Sequence, residues 1–423
     1  MGRKKILIVS AACAPERGSE PGMGWGWVSA LGKLHNLCVI VIDRKEYRDS
    51  IERELAKDRA IRTRFYFVPW PEGQMLSFMP HPFSLWYLRY NQWHRQALEL
   101  ARTLNESEKF DVAHQLNMIG YHEPGYLWQL DLPFVWGPVG GTPNTRLQLL
   151  RDVGAAAWFT EATQSFVNTS ILLLSRRIRR VVRRTNVLVT ATSDIQEDFR
   201  RALGADSVMI NEIGANSELL KNSTGPNFKA VPLRLVWSGW HLARKALPIL
   251  LRALALLPSG FEYHLDVLGE ERRLTQRWRR LADELGVGSH CTWHGHLPHA
   301  IALDIMKQSH LFCLTSLREA TTNVVPEALS AGVPVICFDH CGQGDVVDDT
   351  CGIKIFPGQR AQVYRDFSNA IVKLGTDRVL LQDLSVGAKK RARQMTWDSK
   401  AAQMSEIYEV AIRRYKLAKN NGR

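Results

Sequence analysis

A chain of 423 residues is too long for one ordinary hydrophobic core, so two or more domains are expected. Hydrophobic residues make up 45% of it, and no run of about 18 apolar residues occurs, which excludes a membrane-spanning helix. A formal net charge of +13 favours an anionic partner, whether nucleic acid, phospholipid or phosphosugar.

In chain order, residues 5–10 read as a first buried strand. A very short signal peptide over Met1 to Ala14 is the alternative, disfavoured because its apolar run is at the lower limit for a signal core. Gly18 to Gly24 reads as the turn after that strand, Trp25 to Leu34 as a helix and Leu37 to Ile42 as a second strand, a βαβ opening. Further strands are expected at 64–68, 112–115, 134–136 and 187–191. Two segments break the alternation. Pro69 to Trp93 carries exposed-looking apolar side chains, namely Met75, Phe78, Met79, Phe83, Trp86, Tyr87, Tyr90 and Trp93. Ile171 to Arg184 reads as one amphipathic helix, with Leu174, Ile178 and Val181 in a stripe. Its arginines are Arg176, Arg177, Arg179, Arg180, Arg183 and Arg184. Such a helix suits an anionic membrane surface or, equally, is a solvated surface helix. Nucleic acid is disfavoured, since no recognised binding module accompanies it.

Lys221 to Pro232 is polar and rich in breakers and reads as a linker. A second α/β series starts at Leu233, with a helix at 247–257, a strand at 263–268 and a helix at 274–285. A buried strand, polar loop, helix and buried strand then run from Leu311 to Phe338. The expected domains are 1–222 and 223–399, with a C-terminal helix from about 400 to 423 packing back on the first. Two open sheets facing each other would create a ligand cleft at the C-terminal ends of their strands. The seven cysteines are scattered and odd in number, so no disulfide framework is expected and a reducing, cytosolic location fits. Cys337, Cys341 and Cys351 form no Cys-x-x-Cys unit of the kind a zinc site uses.

The 311–338 unit carries the chemistry. Glu319 and Glu327 sit eight positions apart across the junction of loop and helix. A helix start offers unpaired N–H groups and the positive end of a dipole, which suit an anion. Carboxylates beside it would repel phosphate and suit neutral hydroxyls. A ligand with both is a nucleotide sugar. Thr322 or Asn323 can cap this helix. Taken by spacing alone, the favoured reading makes Glu327 a helix-dipole partner and Glu319 a solvated loop group. Arg244-Lys245, just before the helix at 247, supplies two positive charges able to neutralise a diphosphate.

The glycine-rich first turn, Arg244-Lys245 before a helix, and Glu319…Glu327 followed by Ala331-Gly-Val-Pro-Val335 resemble the retaining glycosyltransferases of family 4. Arg17 to Trp25 and Trp136 to Gly141 resemble a bacterial subgroup that builds surface polysaccharides. The resemblance implies a GT-B fold, two Rossmann-like α/β domains facing across a central cleft. It implies that Glu327 binds the donor ribose, and that Glu319 holds hydroxyls of the transferred sugar. Backbone groups of Thr322 and Asn323 would meet the diphosphate, and Lys245 with Arg244 would balance the leaving group's charge. Gly22 and Gly24 would let the first domain's loop approach the ligand. His114 resembles the active-site histidine, with His122 as its rival. Two positions depart from the family: Trp240 stands where an arginine is usual and Ala246 where a glycine is usual, so Arg244 or His241 would have to compensate. No Asp-x-Asp appears in the first domain's loops, so no metal or other cofactor is expected. The implied enzyme transfers a hexose from a nucleotide sugar to a lipid-linked or oligosaccharide acceptor in polysaccharide biosynthesis, with no nucleic-acid partner. It would be cytoplasmic, peripheral on the inner face of the cytoplasmic membrane. A GT-B sugar-nucleotide epimerase and a non-catalytic nucleotide-sugar sensor are the competing readings.

Overall fold

The computed structural model describes every residue except 1, 16, 72–84, 117–119, 151–153, 216, 223–224, 320 and 423. Seven strands form one parallel sheet: β1 (Lys5–Val9), β2 (Asn36–Ile42), β3 (Thr63–Val68), β4 (Val112–Gln115), β5 (Phe134–Val139), β6 (Val187–Thr190) and β7 (Ser207–Met209), in the order β3-β2-β1-β4-β5-β6-β7. Six form a second: β8 (Leu233–Ser238), β9 (Tyr263–Leu268), β10 (Cys291–Gly295), β11 (Leu311–Leu314), β12 (Val335–Phe338) and β13 (Gly352–Ile355), in the order β10-β9-β8-β11-β12-β13. Central strands such as β1, β11 and β12 are continuous apolar runs because helices cover both faces of a parallel sheet. Ile6 lies between Leu37 and Val112 in the register, so the strand at residue 5 is interior sheet. Three strands had no sequence signal, β7, β10 and β13, and all three are sheet edges. An edge strand buries less, so its side chains need no apolar run; β10 has no fully buried residue.

The chain divides into two compact units, 1–142 with 169–214 and 397–423, and 143–168 with 215–396. The first boundary therefore departs from the expected 222/223. The second unit also claims a piece of the N-terminal half. Leu149 and Leu150 are buried in its core, and Trp158 packs on that core. The C-terminal helix Trp397–Asn420 buries Ala401, Met404, Ile407, Tyr408 and Ala411 in the core of the first unit. Gly26 and Gly214 make room for its Trp397. A Cβ on Gly26 would stand 2.3 Å from the indole, and one on Gly214 2.4 Å.

The described end of the aromatic segment is not a surface. Trp86, Tyr87, Tyr90 and Trp93 lie in the helix Leu85–Glu108, where Tyr87, Tyr90 and Trp93 are buried. Trp93 donates its indole N–H to the Val68 carbonyl at 3.0 Å. Spacings of three and four turn these rings to the sheet, a periodicity that their size obscured. Met75, Phe78, Met79 and Phe83 lie outside the described residues.

The run 171–184 is two helices, Ala155–Leu174 and Arg176–Arg184, broken at Ser175, whose hydroxyl caps the second by accepting from the Ile178 amide. Leu174 is exposed, while Ile178 and Val181 are buried, so the expected stripe does not exist. Arg176, Arg179, Arg180, Arg183 and Arg184 are exposed. Arg177 is not a surface cation. Its guanidinium forks onto the buried Glu123 carboxylate, with Nη1 2.8 Å from Oε2, and lies 4.4 Å over the Tyr126 ring.

Candidate donor site in the C-terminal unit

Strands β8 and β11 are neighbours and parallel, so the loops that leave them emerge at the same end of the sheet. That adjacency brings Arg244-Lys245 to Glu319, some 75 residues away in the chain. The Lys245 ammonium contacts Glu319 Oε1, and Arg244 Nη1 donates to the same oxygen at 3.3 Å and to the Arg318 carbonyl at 3.2 Å. Backbone bonds lock the two loops together. Leu317 N–H donates to the Arg244 carbonyl at 2.7 Å, and the Thr315 hydroxyl donates to the Lys245 carbonyl at 2.9 Å. Trp237 Nε1 in turn donates to the Thr315 hydroxyl at 3.1 Å.

Glu319 is 9% exposed. Burial pushes its carboxyl up, but Lys245 and Arg244 outweigh that and hold it below the usual carboxylate range. The pair is therefore ionised, and truncating Glu319 would strand the buried Lys245 charge, at a cost of about 3–5 kcal/mol. Ala246, at the position where the resembled family usually has glycine, adopts φ +47° and ψ 41°, the left-handed region that glycine enters freely. The chain keeps the conformation that turns the helix Leu247–Leu254 away from Lys245, and a side chain there costs on the order of 1 kcal/mol.

The helix Val324–Ala331 begins at the end of the same loop. Thr322 caps it, its hydroxyl accepting from Val324 N–H at 3.3 Å, while Asn323 makes no side-chain cap bond. Pro326 has no N–H to leave unpaired in the first turn. Glu327 sits in that turn, and His299 Nε2 stands 2.9 Å from its Oε1. Hydrogen bonding to Glu327 raises the His299 pKa, burial opposing it.

No sequence signal marked His299, because the pair joins two different βα connections. A ligand hydroxyl that bonded Glu327 Oε1 would compete with His299 for that oxygen. Since the His299 pKa is raised above 6.5, the ion pair is complete below that value and is lost as pH rises through the raised one. Donor affinity is expected to increase across that rise, and His299→Gln to flatten the profile. Calorimetric titration of donor between about pH 6 and pH 8.5 checks this.

Two further residues were missed. Arg318 Nη2 lies 3.1 Å from Glu161 Oε2 and 2.9 Å from Gln164 Oε1, and the Thr145 hydroxyl donates to Glu161 at 2.5 Å. Burial pushes the Arg318 guanidinium down, and Glu161 is the foremost acid opposing this. Glu161 is the single charged residue in the helix Ala155–Leu174 and is buried, the one signal in the sequence that could have marked it.

Trp240 and its expected compensator His241 have different fates. His241 is buried, its Nδ1 2.7 Å from the Thr275 hydroxyl, among the rings of Trp237, Trp278 and Trp293. Burial lowers its pKa, so it adds no cation to the site. Trp240 is 53% exposed, and the Arg272 guanidinium lies 4.6 Å over its ring.

In the N-terminal unit, three expected site residues have structural duties. Gly22 and Gly24 lie within the helix Ser19–Leu34 and not in a turn. A Cβ on Gly22 would stand 2.1 Å from the Arg17 carbonyl oxygen, and one on Gly24 2.2 Å from that of Ala12, so both allow close backbone packing. His114 is fully buried on β4. Its Nε2 donates to the Gly137 carbonyl at 2.6 Å, and its Nδ1 accepts from the Tyr408 hydroxyl at 2.7 Å. Burial pushes its pKa down to about 4. This neutral ring bolts the C-terminal helix to the sheet and has no atom free for a sugar. His122, half-buried, sits one residue before the Glu123 that receives Arg177.

Residues 232–391, the stretch that holds Arg244, Lys245, Glu319 and Glu327, match the family model described as glycosyl transferases group 1. This stretch is a group 1 glycosyltransferase domain. The D-inositol 3-phosphate glycosyltransferase of Streptomyces bingchenggensis is 25% identical over 250 residues, 54% of this chain and 54% of that one. The chain thus spans about half the length of that relative. Sucrose-phosphate synthase from Thermosynechococcus elongatus superposes with a TM-score of 0.64 at 16% identity, covering 96% of this chain and 98% of that one. HepE from Anabaena, solved with UDP-glucose, gives a TM-score of 0.58 at 14% identity over 96% and 100%. These likenesses show that the glycosyltransferase domain is part of a GT-B fold with two parallel α/β sheets. Among the described residues, no group of three or more His, Cys, Asp or Glu is arranged to hold a metal ion. No described helix is long and apolar enough to cross a membrane.

Proposed function

We propose that the protein is a retaining glycosyltransferase of the family 4 kind, which moves a hexose from a nucleotide sugar to a lipid-linked glycan acceptor in polysaccharide biosynthesis. The observation that carries this reading is the convergence of Lys245, Arg244 and Glu319 at the strand ends of the glycosyltransferase domain, beside the start of the Glu327 helix. In this reading Glu327 holds the ribose hydroxyls and Glu319 those of the sugar. The diphosphate lies at the start of the helix Val324–Ala331, against the Thr322 and Asn323 backbone.

Charge grows on the departing phosphate oxygen as the glycosidic bond breaks. Lys245, Arg244 and the helix dipole are fixed in advance to meet that charge, so no reorganisation is needed at the moment of reaction. The acceptor hydroxyl attacks from the same face, and its proton passes to the leaving phosphate, which gives retention without a covalent carboxylate intermediate. With the charge met by protein groups, no metal is required. The five exposed arginines of the helix Arg176–Arg184 would hold the enzyme at the anionic inner leaflet of the cytoplasmic membrane, where a lipid-linked acceptor lies. The UDP-glucose bound by HepE makes uridine nucleotides the first donors to try.

Thermal unfolding in the presence of UDP, GDP, ADP and their sugars tests the donor. One nucleotide is expected to raise the transition. A chain that no nucleotide or nucleotide sugar stabilises would not be this enzyme. Conversion of the donor without acceptor would point to an epimerase, and donor binding that Glu319→Ala leaves intact, with no product, to a sensor.

A further inference from the structure

The helix Ala155–Leu174 presents a face that stays exposed among the described residues. Its exposed positions, including Phe159, Thr163, Phe166, Leu173 and Leu174, recur at spacings of three and four and lie on one side of the helix. Phe159 is 66% exposed, Phe166 73% and Leu174 73%. Glu161, the helix's one charge, lies on the opposite, buried side with Asn168 and Leu172. A water-facing side on a 20-residue helix normally carries charges for solubility, and this one carries none.

The next helix is its opposite in charge. After Ser175 the chain enters the helix Arg176–Arg184, where Arg176, Arg179, Arg180, Arg183 and Arg184 are exposed opposite the buried Ile178 and Val181. Among the described residues, no carboxylate pairs with any of these five. An uncharged apolar face that leads into an unneutralised cationic one matches a single environment, the boundary between acyl chains and anionic headgroups.

We propose that the uncharged face of the helix Ala155–Leu174 seats in the surface of an anionic bilayer, with Phe159 and Phe166 as its anchors and the neighbouring arginines gripping the headgroups. This rests on the membrane location proposed above and names the element that enters the lipid. A soluble face of a second protein copy would not call for unpaired arginines, which would repel their symmetry mates.

Flotation of the full chain with vesicles of phosphatidylglycerol and phosphatidylcholine, against phosphatidylcholine alone, tests it. Wild type is expected to float with the anionic vesicles. Phe159→Ser/Phe166→Ser should lower the partition coefficient roughly tenfold or more at either salt concentration, because two large apolar rings no longer leave water on binding. Arg180→Ser/Arg184→Ser should lose about fivefold per arginine at ~0.1 M salt and far less at ~1 M. The four side chains are exposed, so both variants should unfold at the wild-type temperature. The proposal is overturned if the phenylalanine variant partitions as wild type does. It is also overturned if wild type is a dimer that those two substitutions dissociate without affecting flotation. A nucleotide-sugar thermal shift without vesicle binding would sink this surface and leave the donor reading standing. Vesicle binding without any nucleotide shift would do the reverse.

Discussion

Glu319→Gln is expected to reduce glycosyl transfer by about 10²–10³-fold, the range seen when one preorganised charge is taken from a reacting centre. The carboxamide keeps the shape of the carboxylate but leaves the Lys245 ammonium, 12% exposed, facing Arg244 without an acid. Lys245→Met should lose a similar factor from the other side. Glu319→Gln should also destabilise the second unit by about 3–5 kcal/mol, since it strands the buried Lys245, and Lys245→Met by less, since Arg244 still bonds Glu319. The double variant Lys245→Met/Glu319→Leu removes both charges and should regain much of that stability while staying inactive. Stability from denaturant melts, with product formation measured in parallel, separates the two effects. A single variant that keeps transfer within about threefold of wild type would remove both residues from the site. The depressed Glu319 carboxyl also sets an acid limit. The pair's contribution is full above the unfolded value of 4.5 and is lost as pH falls through the lower folded one.

Glu161→Ala is expected to weaken donor binding although, among the described residues, Glu161 is bonded only to Arg318 and Thr145. Three cations, Arg244, Lys245 and Arg318, are balanced here by two acids, Glu319 and Glu161. The substitution leaves three against one. The Arg318 side chain, 25% exposed, would then have to turn to water and carry the neighbouring Glu319 with it. Because Arg318 is partly exposed, leaving it without an acid costs less than stranding Lys245, about 2 kcal/mol, and a loss of that size in the donor-bound state is roughly thirtyfold in affinity. Adding Arg318→Ala should restore much of the lost stability, because nothing is then left unpaired. Calorimetric donor titration of both variants checks this. Wild-type donor affinity in Glu161→Ala would show that the Arg318 loop holds itself.

The central strands β1, β11 and β12 were legible because a strand covered on both faces must be apolar throughout, as Ile6, Leu7, Ile8 and Val9 are. The edges β7, β10 and β13 were not, because one open side lifts that demand. Aromatic and arginine-rich stretches misled for a related reason. Trp93 and Arg177 have the chemistry of a surface, and whether they reach it depends on the Val68 carbonyl and the Glu123 carboxylate, which come from elsewhere in the chain.

By itself the sequence determined the two α/β series, the Glu319…Glu327 unit and its cationic partner at Arg244-Lys245. Chain-local apolar periodicity encodes the series, helix-start chemistry and the family resemblance mark the charged residues, and the adjacency of β8 and β11 brings them together. Only the tertiary structure decided that Glu161 neutralises Arg318, that His299 occupies Glu327, that His114 is a neutral bolt to Tyr408, and that an uncharged helix face at Phe159 and Phe166 stays open. Each depends on which side chain folding leaves buried without, or with, an opposite charge, and that is fixed by neighbours in space and not by spacing along the chain.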